Sequence, residues 1–374
     1  MRNLVVFGTQ TSPFAQPRAA FQSVVIDQVP LRCGIVHTDA PGFDPRAPEN
    51  RHRVLVRVKS FSCNYRDKGC CFSLQAFPAH RFSAIGSEFG AEVVAVGPEV
   101  ERLRPGDRVI SNHHYTGGTR REGYREGVVS NQSSREYQVF HERKLLAMPA
   151  NMPFEVAGAF SINAQTAYGM VRRMGVRPGD RALVTSAKSN TSLFIIGALR
   201  KHGVSVYAST SSAAFAPRIA ELGVEETILL EGGGECFRES EAVDEVAARI
   251  GGFDHVFDPF YDVHLEKSIE VLAPFGKYIT CGLVGQNPNS TRASGLRRAT
   301  RWDQVMLNCS IKNLSIIGNC IGLDEDLEQA LADYGDGLYD TVIDSVYTGD
   351  EAGAFLDRTF NDRDRFGKVV FRYN

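Results

Sequence analysis

The sequence predicts an α/β protein with a small β-barrel domain and a second domain built on a doubly wound parallel sheet. Three observations predict this class. The first 150 or so residues contain short strands separated by Gly and Pro. From about Pro153 onward, buried strands alternate with helices. The 374 residues are also enough for two domains of ordinary size.

The predicted barrel strands follow from alternating hydrophobicity and from turn residues. Val54, Val56 and Val58 alternate with polar residues, which places the three valines on one face of a strand. Residues 92–97 form a second short strand. A Pro-Gly-Asp turn then precedes a third strand at 108–110. Short strands at this spacing favour a small barrel.

Residues 112–135 lack periodicity and are rich in Gly, Ser, Asn and Arg, which predicts a long surface loop. His113 and His114 lie at its start. A metal site needs three or four convergent ligands, so we interpret these two histidines as solvated loop residues.

The parallel sheet is predicted from six buried strands with helices between them. The strands are expected at 181–185, 204–208, 227–230, 255–257, 277–281 and 314–318. The helices are expected at 191–201, 214–222, 243–250 and 265–272. The tail adds helices at 327–334 and 353–359, an extended segment at 342–346 and a closing strand at 368–371. We therefore expect residues 1–155 and 320–374 to form the barrel domain and residues 156–319 the parallel-sheet domain.

Charge and hydropathy exclude several classes of partner. The formal net charge is −2, which gives no electrostatic reason to expect a nucleic-acid or membrane partner. No apolar run approaches the roughly 18 residues that a spanning helix needs, and no signal peptide is evident. We expect a cytoplasmic protein, with its eight scattered cysteines reduced.

Four segments, in order along the chain, resemble the medium-chain dehydrogenase/reductase superfamily. Residues 86–97 with 105–109 resemble its barrel signature, and residues 165–169 its domain-junction helix. Residues 178–184 resemble the lead-in to its first Rossmann strand, and residues 367–370 its closing strand. The resemblance implies a GroES-like barrel domain and a Rossmann nucleotide-binding domain.

Zinc members of this superfamily bind catalytic zinc through two cysteines and a histidine. The matching positions here hold Cys63, Ser87 and Ile162, and Ile162 has no metal-binding group. The four cysteines of the structural zinc lobe are also missing from residues 111–150. We therefore predict no metal site and the zinc-independent branch, which includes quinone oxidoreductases and enoyl reductases.

The active-site loop of that branch resembles Asn64-Tyr65-Arg66-Asp67. The resemblance implies catalytic roles for Asn64, Tyr65 and Asp67, in which Tyr65, or a water held by Asp67, supplies a proton. A side-chain amide, phenol or cation would stabilise charge on a carbonyl oxygen after hydride addition. The alternative is that Asn64 and Asp67 only cap a turn and the start of a helix.

The phosphate-binding loop departs most from the family pattern. The run of glycines expected after the first Rossmann strand is replaced by residues 186–192, Ser-Ala-Lys-Ser-Asn-Thr-Ser. We expect Asn190 to accept a positive φ and Ser192 to fit the helix–strand contact. The helix N-terminus still offers N–H groups to an anion. This loop contributes the predicted cofactor ligands Ser186, Lys188, Ser189, Asn190 and Thr191.

The second Rossmann strand ends in hydroxyl groups and lacks the acidic residue that NAD-binding proteins place there. This composition favours NADPH, with its 2′-phosphate near Arg218, although Phe215 replaces the family's usual lysine. By resemblance, one residue of the junction helix and two after the fifth strand approach the nicotinamide. The predicted contacts outside the phosphate loop are Thr166, Ser209, Ser211, Ser212, Arg218, Cys281 and Gly282.

Three functions follow from these features. The first is an NADPH-dependent, zinc-independent reduction of an activated C=C bond, a quinone or a carbonyl group of a small molecule. The second is a non-redox, lyase-type enzyme with an altered or lost nicotinamide site, and the lost glycines motivate it. The third is a non-catalytic small-molecule sensor. A homodimer is expected from the resemblance and from its frequency among oligomers.

Overall fold

The computed structural model describes residues 1–9, 21–78, 80–115, 126–231, 237–286 and 300–374. The chain divides into two compact units. The first contains residues 1–162, 323–336 and 341–374, and the second contains residues 163–322 and 337–340. The boundary at 162/163 falls in the first turn of the helix Ser161–Met174.

The first unit is built from two sheets in which the strands pair antiparallel, apart from one parallel pair at the edge of the larger sheet. Its first nine strands are β1 Arg2–Phe7, β2 Gln22–Ile26, β3 Val29–His37, β4 Arg53–Ser62, β5 Phe82–Ala84, β6 Glu88–Val96, β7 Arg108–Ser111, β8 Tyr137–His141 and β9 Leu145–Ala147. The tail adds two strands, numbered after the six of the second unit: β16 Ile343–Thr348 and β17 Lys368–Arg372. The helices of this unit are Asp67–Ser73, Phe154–Ala157, Asp324–Gly335 and Ala352–Phe360.

Strand β4 is the centre of the larger sheet, whose order is β16-β17-β4-β6-β7-β9, and β8 also pairs with β4. The smaller sheet has the order β2-β3-β1-β5. Val54, Val56 and Val58 of β4 are all fully buried, which confirms the alternation predicted from the sequence. They share one core with Phe61 and with Phe371 of β17, so the last strand of the chain completes this unit.

The second unit is a six-stranded parallel sheet within the described residues. Its strands are β10 Arg181–Val184, β11 Ser205–Thr210, β12 Glu226–Leu229, β13 Phe253–Asp258, β14 Leu272–Thr280 and β15 Ser315–Gly318, in the order β12-β11-β10-β13-β14-β15. Its further helices are Asn190–Leu199, Ala216–Ala220, Glu241–Ile250, Tyr261–Val271 and Trp302–Lys312. The predicted α/β class with a doubly wound sheet is therefore confirmed.

The strand order reverses at β10, which has β11 on one side and β13 on the other. In open parallel sheets, ligands bind beyond the carboxyl ends of the strands at such a switch point. The predicted phosphate loop follows β10 directly. The helix after it begins at Asn190 and ends at Leu199, slightly earlier than the predicted 191–201. The next helix, Ala216–Ala220, is shorter than the predicted 214–222 because residues 213–215 form a 3-10 turn.

Among the described residues, no helix is both long and apolar enough to cross a membrane. The seven described cysteines are free thiols, and Cys236 lies outside the described residues.

Candidate functional site

Asn64 follows β4, and both the oxygen and the nitrogen of its side-chain amide make hydrogen bonds. Its Oδ1 accepts a hydrogen bond from Lys368 Nζ at 2.5 Å. Its Nδ2 donates to Glu88 Oε1 at 2.9 Å and to Ser87 Oγ at 3.1 Å. The amide therefore already has partners at both ends, and Asn64 positions the loop by joining β17 to the start of β6.

Asp67 is fully buried at the first position of the helix Asp67–Ser73. Its carboxylate accepts hydrogen bonds from Asn64 N at 2.7 Å and Ser87 Oγ at 2.8 Å. Arg66 Nη1 lies 3.4 Å from the same carboxylate. Burial raises the pKa of Asp67, while these hydrogen bonds and the Arg66 charge oppose the rise. Asp67 thus braces the turn at Asn64, as the structural alternative expects, but no side chain caps the helix Asp67–Ser73. The catalytic roles of both residues stay a prediction.

Tyr65 lies between these two bracing residues and is half-buried. The Lys68 ammonium sits 4.5 Å from the centre of its ring and pairs with Asp27 at 2.9 Å. A cation over the ring fixes the orientation of the phenol. Of the three predicted catalytic residues, Tyr65 is the one whose side chain carries a phenolic O–H group that can donate a proton.

Glu88 and Lys368 form a buried ion pair that the sequence reasoning did not include in the site. Glu88 Oε1 accepts from Lys368 Nζ at 2.8 Å and from Ser62 Oγ at 3.0 Å, and Oε2 accepts from Ile162 N at 2.9 Å. Both residues belong to segments that resemble the superfamily. This resemblance is the sequence signal for Glu88 and Lys368, although it was used above only to predict the fold.

The three positions that match zinc ligands are occupied by other interactions. The Cys63 thiol is buried, which raises its pKa well above the usual value and disfavours the thiolate that a metal needs. The Ser87 hydroxyl donates to Asp67, and the Ile162 N–H donates to Glu88. Across the described part of the chain, no three His, Cys, Asp or Glu side chains converge on a point suitable for a metal ion.

The prediction that His113 and His114 are solvated is wrong. Both are buried, with exposed fractions of 0% and 4%. The chain turns inward after β7, where His114 adopts φ +47° and pairs through Nδ1 with Asp324. Lys144 Nζ donates to the His113 carbonyl at 2.9 Å. Residues 112–114 of the predicted 112–135 surface loop are thus buried, residues 126–135 are mostly half-buried with Asn131 exposed, and residues 116–125 lie outside the described residues.

The phosphate loop keeps a sharp turn without glycine. Ser186 takes the left-handed conformation at φ +50°, which the sequence analysis assigned to Asn190 by residue type; Asn190 is instead the first residue of the helix. Ser192 Oγ donates to the Thr185 carbonyl at 2.7 Å, so Ser192 fits the helix–strand contact as expected. In dinucleotide-binding loops the glycines allow the tight turn, the close helix–strand packing and the close approach of the pyrophosphate. Serines fill the first two of these roles here.

Ser189 affects the third role, which is to let an anion approach the helix N-terminus closely. It is the N-cap of the helix Asn190–Leu199, and its Oγ accepts from Ser192 N at 3.3 Å. Its hydroxyl also donates to Ser192 Oγ at 2.9 Å. The side chain consequently covers an N–H group that a glycine would leave to a phosphate.

The end of β11 offers hydroxyl groups and a cation. Ser209 is fully buried, and its Oγ has no hydrogen-bond partner among the described residues. Ser211 and Arg218 are exposed, and Ser212 N donates to Thr210 Oγ1 at 3.2 Å. Lys188 Nζ lies 5.4 Å from the centre of the Phe215 ring. Phe215 replaces the family's usual lysine, and Lys188 of the phosphate loop therefore brings a positive charge close to that position.

Three predicted nicotinamide contacts belong to this unit as well. Thr166 is buried in the helix Ser161–Met174. Cys281 follows β14, and burial raises the pKa of its thiol to about 12. The Gly282 carbonyl already accepts from Tyr261 N at 3.2 Å. The residues at the switch point fit a dinucleotide, since the orphaned Ser209 hydroxyl, the turn at Ser186 and Lys188 suit its phosphates, and Ser189 is the exception.

Comparisons with known proteins show which proteins this chain resembles. Residues 50–150 match the alcohol dehydrogenase GroES-like domain. The chain is 28% identical over 370 residues to the rat synaptic vesicle membrane protein VAT-1 homolog, covering 91% of this chain and 84% of that protein. It is 27% identical over 267 residues to the spectinabilin polyketide synthase system protein NorB of Streptomyces orinoci, and covers 11% of that protein's length.

Two solved structures share the fold. The crystal structure of an NAD-dependent alcohol dehydrogenase superposes with a TM-score of 0.73 at 24% identity, covering 94% of this chain and 100% of the other. The 2-octenoyl-CoA carboxylase reductase CinF, solved with NADP and 2-octenoyl-CoA, gives a TM-score of 0.69 at 22% identity over 92% and 82% of the two chains.

Proposed function

Because the chain belongs to the medium-chain dehydrogenase/reductase superfamily, whose members are oxidoreductases, we propose that it is a zinc-independent, NADPH-dependent reductase. Its substrate is a small molecule with an activated C=C bond, a quinone or a carbonyl group. The observation that carries the proposal is that the three matching zinc-ligand positions hold a buried thiol, an engaged hydroxyl and an isoleucine. Without a metal at these positions, hydrogen-bond donors such as Tyr65 polarise the substrate.

The cofactor is held by the carboxyl ends of β10 and β11. Ser186, Lys188, Asn190 and Thr191 bind the pyrophosphate with the helix N-terminus, after the Ser189 hydroxyl rotates away from Ser192 N. Ser209, Ser211, Ser212 and Arg218 bind the adenosine ribose and its 2′-phosphate, and Lys188 adds charge there. Thr166, Cys281 and Gly282 border the nicotinamide. Of the two structural neighbours above, CinF was solved with NADP and the alcohol dehydrogenase is NAD-dependent, so the choice of NADPH rests on the residues at the end of β11.

NADPH held by these residues would supply the hydride for the electron-poor carbon of the substrate. Tyr65 donates the proton that completes the reduction, and solvent returns one to its phenol. Asn64 and Asp67 support Tyr65 in this scheme. They hold Tyr65 in place through Glu88, Lys368 and Ser87.

Turnover after removal of metals tests the proposal. The protein is treated with a chelator, its metal content is measured, and NADPH oxidation is followed with a panel of enones, enals, quinones and aldehydes. We expect NADPH oxidation with at least one substrate in the metal-free protein. Activity that appears only after zinc is restored would contradict zinc independence.

One observation favours a second function, a non-redox reaction on the same scaffold. All glycines of the phosphate loop are replaced, and Ser189 covers the Ser192 N–H group. A lyase-type enzyme would need no hydride and would tolerate this loop. Substrate conversion that continues after all nicotinamide has been removed would identify this function.

We also propose a homodimer formed through β15, one of the two edge strands of the parallel sheet in the described residues. The neighbouring helix Trp302–Lys312 exposes more than half of the side chains of Trp302, Met306 and Ile311. Pairing β15 with its copy would continue the sheet and bring two such helices together. Light scattering should report a dimer for wild type and a monomer for Met306→Asp, with Val94→Asp as an exposed control in the other unit.

The free thiols of the described cysteines fit a reducing compartment, and we propose a cytoplasmic location on that ground. Cell fractionation tests it.

A further inference from the structure

Asp258 is a fully buried carboxylate at the carboxyl end of β13. Its Oδ1 accepts hydrogen bonds from Thr185 Oγ1 at 2.8 Å, His264 Nδ1 at 2.7 Å and Phe260 N at 2.9 Å. Its Oδ2 accepts from Tyr278 OH at 2.5 Å. All of these residues belong to the second unit, and none of them is among the predicted cofactor contacts.

The surroundings keep this carboxyl group ionised. Burial alone would raise the pKa of Asp258, but the charge and hydrogen bond of His264 and the hydrogen bond from Tyr278 lower it below its usual value. An ionised carboxylate only accepts hydrogen bonds, so all four partner groups donate to it. Hydrogen bonds to a charged acceptor are roughly twice as strong as those between neutral groups. The bond from the Thr185 hydroxyl is therefore stronger than an ordinary side-chain hydrogen bond.

Thr185 connects Asp258 to the phosphate loop. It directly follows β10 and directly precedes Ser186, which adopts φ +50°. Its N–H donates to the Phe257 carbonyl at 3.0 Å, and its carbonyl accepts from Ser192 Oγ at 2.7 Å. Its hydroxyl donates to Asp258. Every polar group of Thr185 is therefore held, and the residue that leads into the turn is fixed in place.

The other side of the turn is held by β11. Ala187 N donates to the Ser209 carbonyl at 2.9 Å. Ser186 is therefore bounded by contacts to β13 on one side and to β11 on the other, and these are the two strands that flank β10. The turn thus lies at the switch point of the sheet, where a dinucleotide binds in folds of this kind.

A serine at positive φ is strained, because its Cβ lies too close to the following carbonyl oxygen. Such residues persist where the surrounding contacts fix them. A glycine takes the same conformation without this cost. Because the loop has lost its glycines, the contacts on either side of Ser186 must stabilise the turn. Of the contacts made by Thr185 and Ala187, the bond to Asp258 is the one with a charged partner.

We propose that Asp258 is a positioning residue for the dinucleotide: through Thr185 it holds the glycine-free turn at Ser186 in the conformation that accepts the pyrophosphate. This inference rests on the proposed reductase function. Asp258 acts through Thr185 and not by contact with the phosphates, since a carboxylate repels an anion. Without the Thr185 hydroxyl the turn relaxes, and the cofactor then binds only the fraction of molecules that still contain the turn.

Thr185→Val tests the proposal, because it removes the hydroxyl and changes the shape of the side chain little. NADPH affinity is measured by nicotinamide fluorescence, and the φ of Ser186 by crystal structures of the cofactor-free proteins. We expect Thr185→Val to bind NADPH about tenfold more weakly than wild type, with Ser186 no longer at positive φ. Thr185→Ser keeps the hydroxyl and should bind NADPH within about threefold of wild type. Thr227→Val in β12 is the matched control and should bind as wild type does, since the buried Thr227 Oγ1 has no partner among the described residues.

A second substitution separates this positioning role from a general effect on the fold. In the Ser186→Gly background the residue adopts positive φ about as readily as negative φ, so the turn depends less on the Asp258 contact. We expect Thr185→Val to weaken NADPH binding about tenfold in the wild-type background and by less than about threefold in the Ser186→Gly background. A loss that reflected only a weaker fold would be equal in the two backgrounds, and equal losses would overturn the proposal.

The structural measurement does not depend on the cofactor, so the two proposals can fail separately. If wild type binds no dinucleotide while the turn relaxes in Thr185→Val, Asp258 keeps its role in holding the turn and the reductase function is removed. If wild type binds NADPH but Thr185→Val binds it equally well or keeps Ser186 at positive φ, the role of Asp258 alone is overturned. If wild type binds no dinucleotide and the turn persists in Thr185→Val, both proposals are wrong.

Asp258→Asn covers the case in which Thr185→Val does not fold, as judged by circular dichroism. The amide keeps an oxygen that accepts from Thr185 but carries no charge, and its nitrogen donates to the Tyr278 hydroxyl. We expect NADPH binding to weaken about threefold, because a hydrogen bond to a neutral acceptor holds the turn less firmly. An unchanged NADPH affinity in Asp258→Asn would show that the buried charge does not hold the turn and would overturn the proposal.

Discussion

Lys368 in the last strand donates to Glu88 at the start of β6 across 2.8 Å, although the two residues are 280 positions apart in the chain. Both side chains are buried, with exposed fractions of 3% and 0%. Asn64 bonds to both of them. The position of the loop that carries Tyr65 therefore depends on β17, a strand that lies far from this loop in the sequence.

Lys368→Met should destabilise the first unit strongly. The substitution leaves the Glu88 carboxylate buried without its cation, and breaking such a pair typically costs about 3–5 kcal/mol. The double variant Lys368→Met/Glu88→Met removes both charges and should recover a large part of the loss. Thermal unfolding of the three proteins measures this. Equal melting temperatures for the single variant and wild type would show that the pair does not stabilise the fold.

Tyr65→Phe should lower turnover while leaving the fold intact. The phenol is the proposed proton donor, and losing such a group typically reduces the rate about 10²- to 10⁴-fold. Tyr137→Phe is a matched control, since Tyr137 lies in β8 beside Arg57 and belongs to no part of the proposed site. Steady-state kinetics with a substrate found in the panel provide the measurement. Unchanged kcat in Tyr65→Phe would remove Tyr65 from the mechanism.

Ser189→Gly should tighten NADPH binding by about fivefold, the equivalent of one net hydrogen bond. The substitution uncovers the Ser192 N–H group for the pyrophosphate. Ser186→Gly is the matched control: it restores a glycine at a positive φ but uncovers no N–H group. Fluorescence titration of both variants compares them. Equal affinities for wild type and Ser189→Gly would show that the serine cap does not compete with the cofactor.

Glu136 should make the first unit sensitive to acid. Burial alone would raise its pKa, but hydrogen bonds from Arg2 and Arg57 lower it to about 2. Because the folded pKa lies below the unfolded value of about 4.3, the stabilisation is complete above that value. It is lost as the pH falls from about 4 through 2.

Glu136→Gln should accordingly lower the melting temperature at pH 7 and much less at pH 3, where part of the wild-type stabilisation has already gone. Glu49→Gln, at an exposed position of the same unit, is the control. If the deficit of Glu136→Gln were equal at the two pH values, the ion pairs with Arg2 and Arg57 would not account for the stability.

The sequence predicted the features that depend on local pattern. Val54, Val56 and Val58 alternate as buried residues must, and the six parallel strands follow from buried segments at regular spacing. The positive φ in the phosphate loop was assigned to Asn190 because asparagine tolerates it. The turn instead places the positive φ at Ser186, four residues earlier. Asn190 is the first residue of the helix and therefore has helical φ.

Features that depend on distant partners were missed. His114 is buried because Asp324, 210 residues later, pairs with it, and His113 because Lys144 binds its carbonyl. No local pattern distinguishes such histidines from solvated ones. For the same reason, the bracing of Asn64 by Lys368 was beyond the reach of spacing arguments.

Titration of the purified protein with NADPH and NADH, followed by nicotinamide fluorescence, tests the central proposal most directly. The hydroxyl-rich end of β11 with Arg218 and Lys188, and the absence of an acid in that segment, predict that NADPH binds at least tenfold more tightly than NADH. If the protein binds neither cofactor, the reductase assignment is contradicted. The serine-rich loop would then no longer be a dinucleotide-binding site.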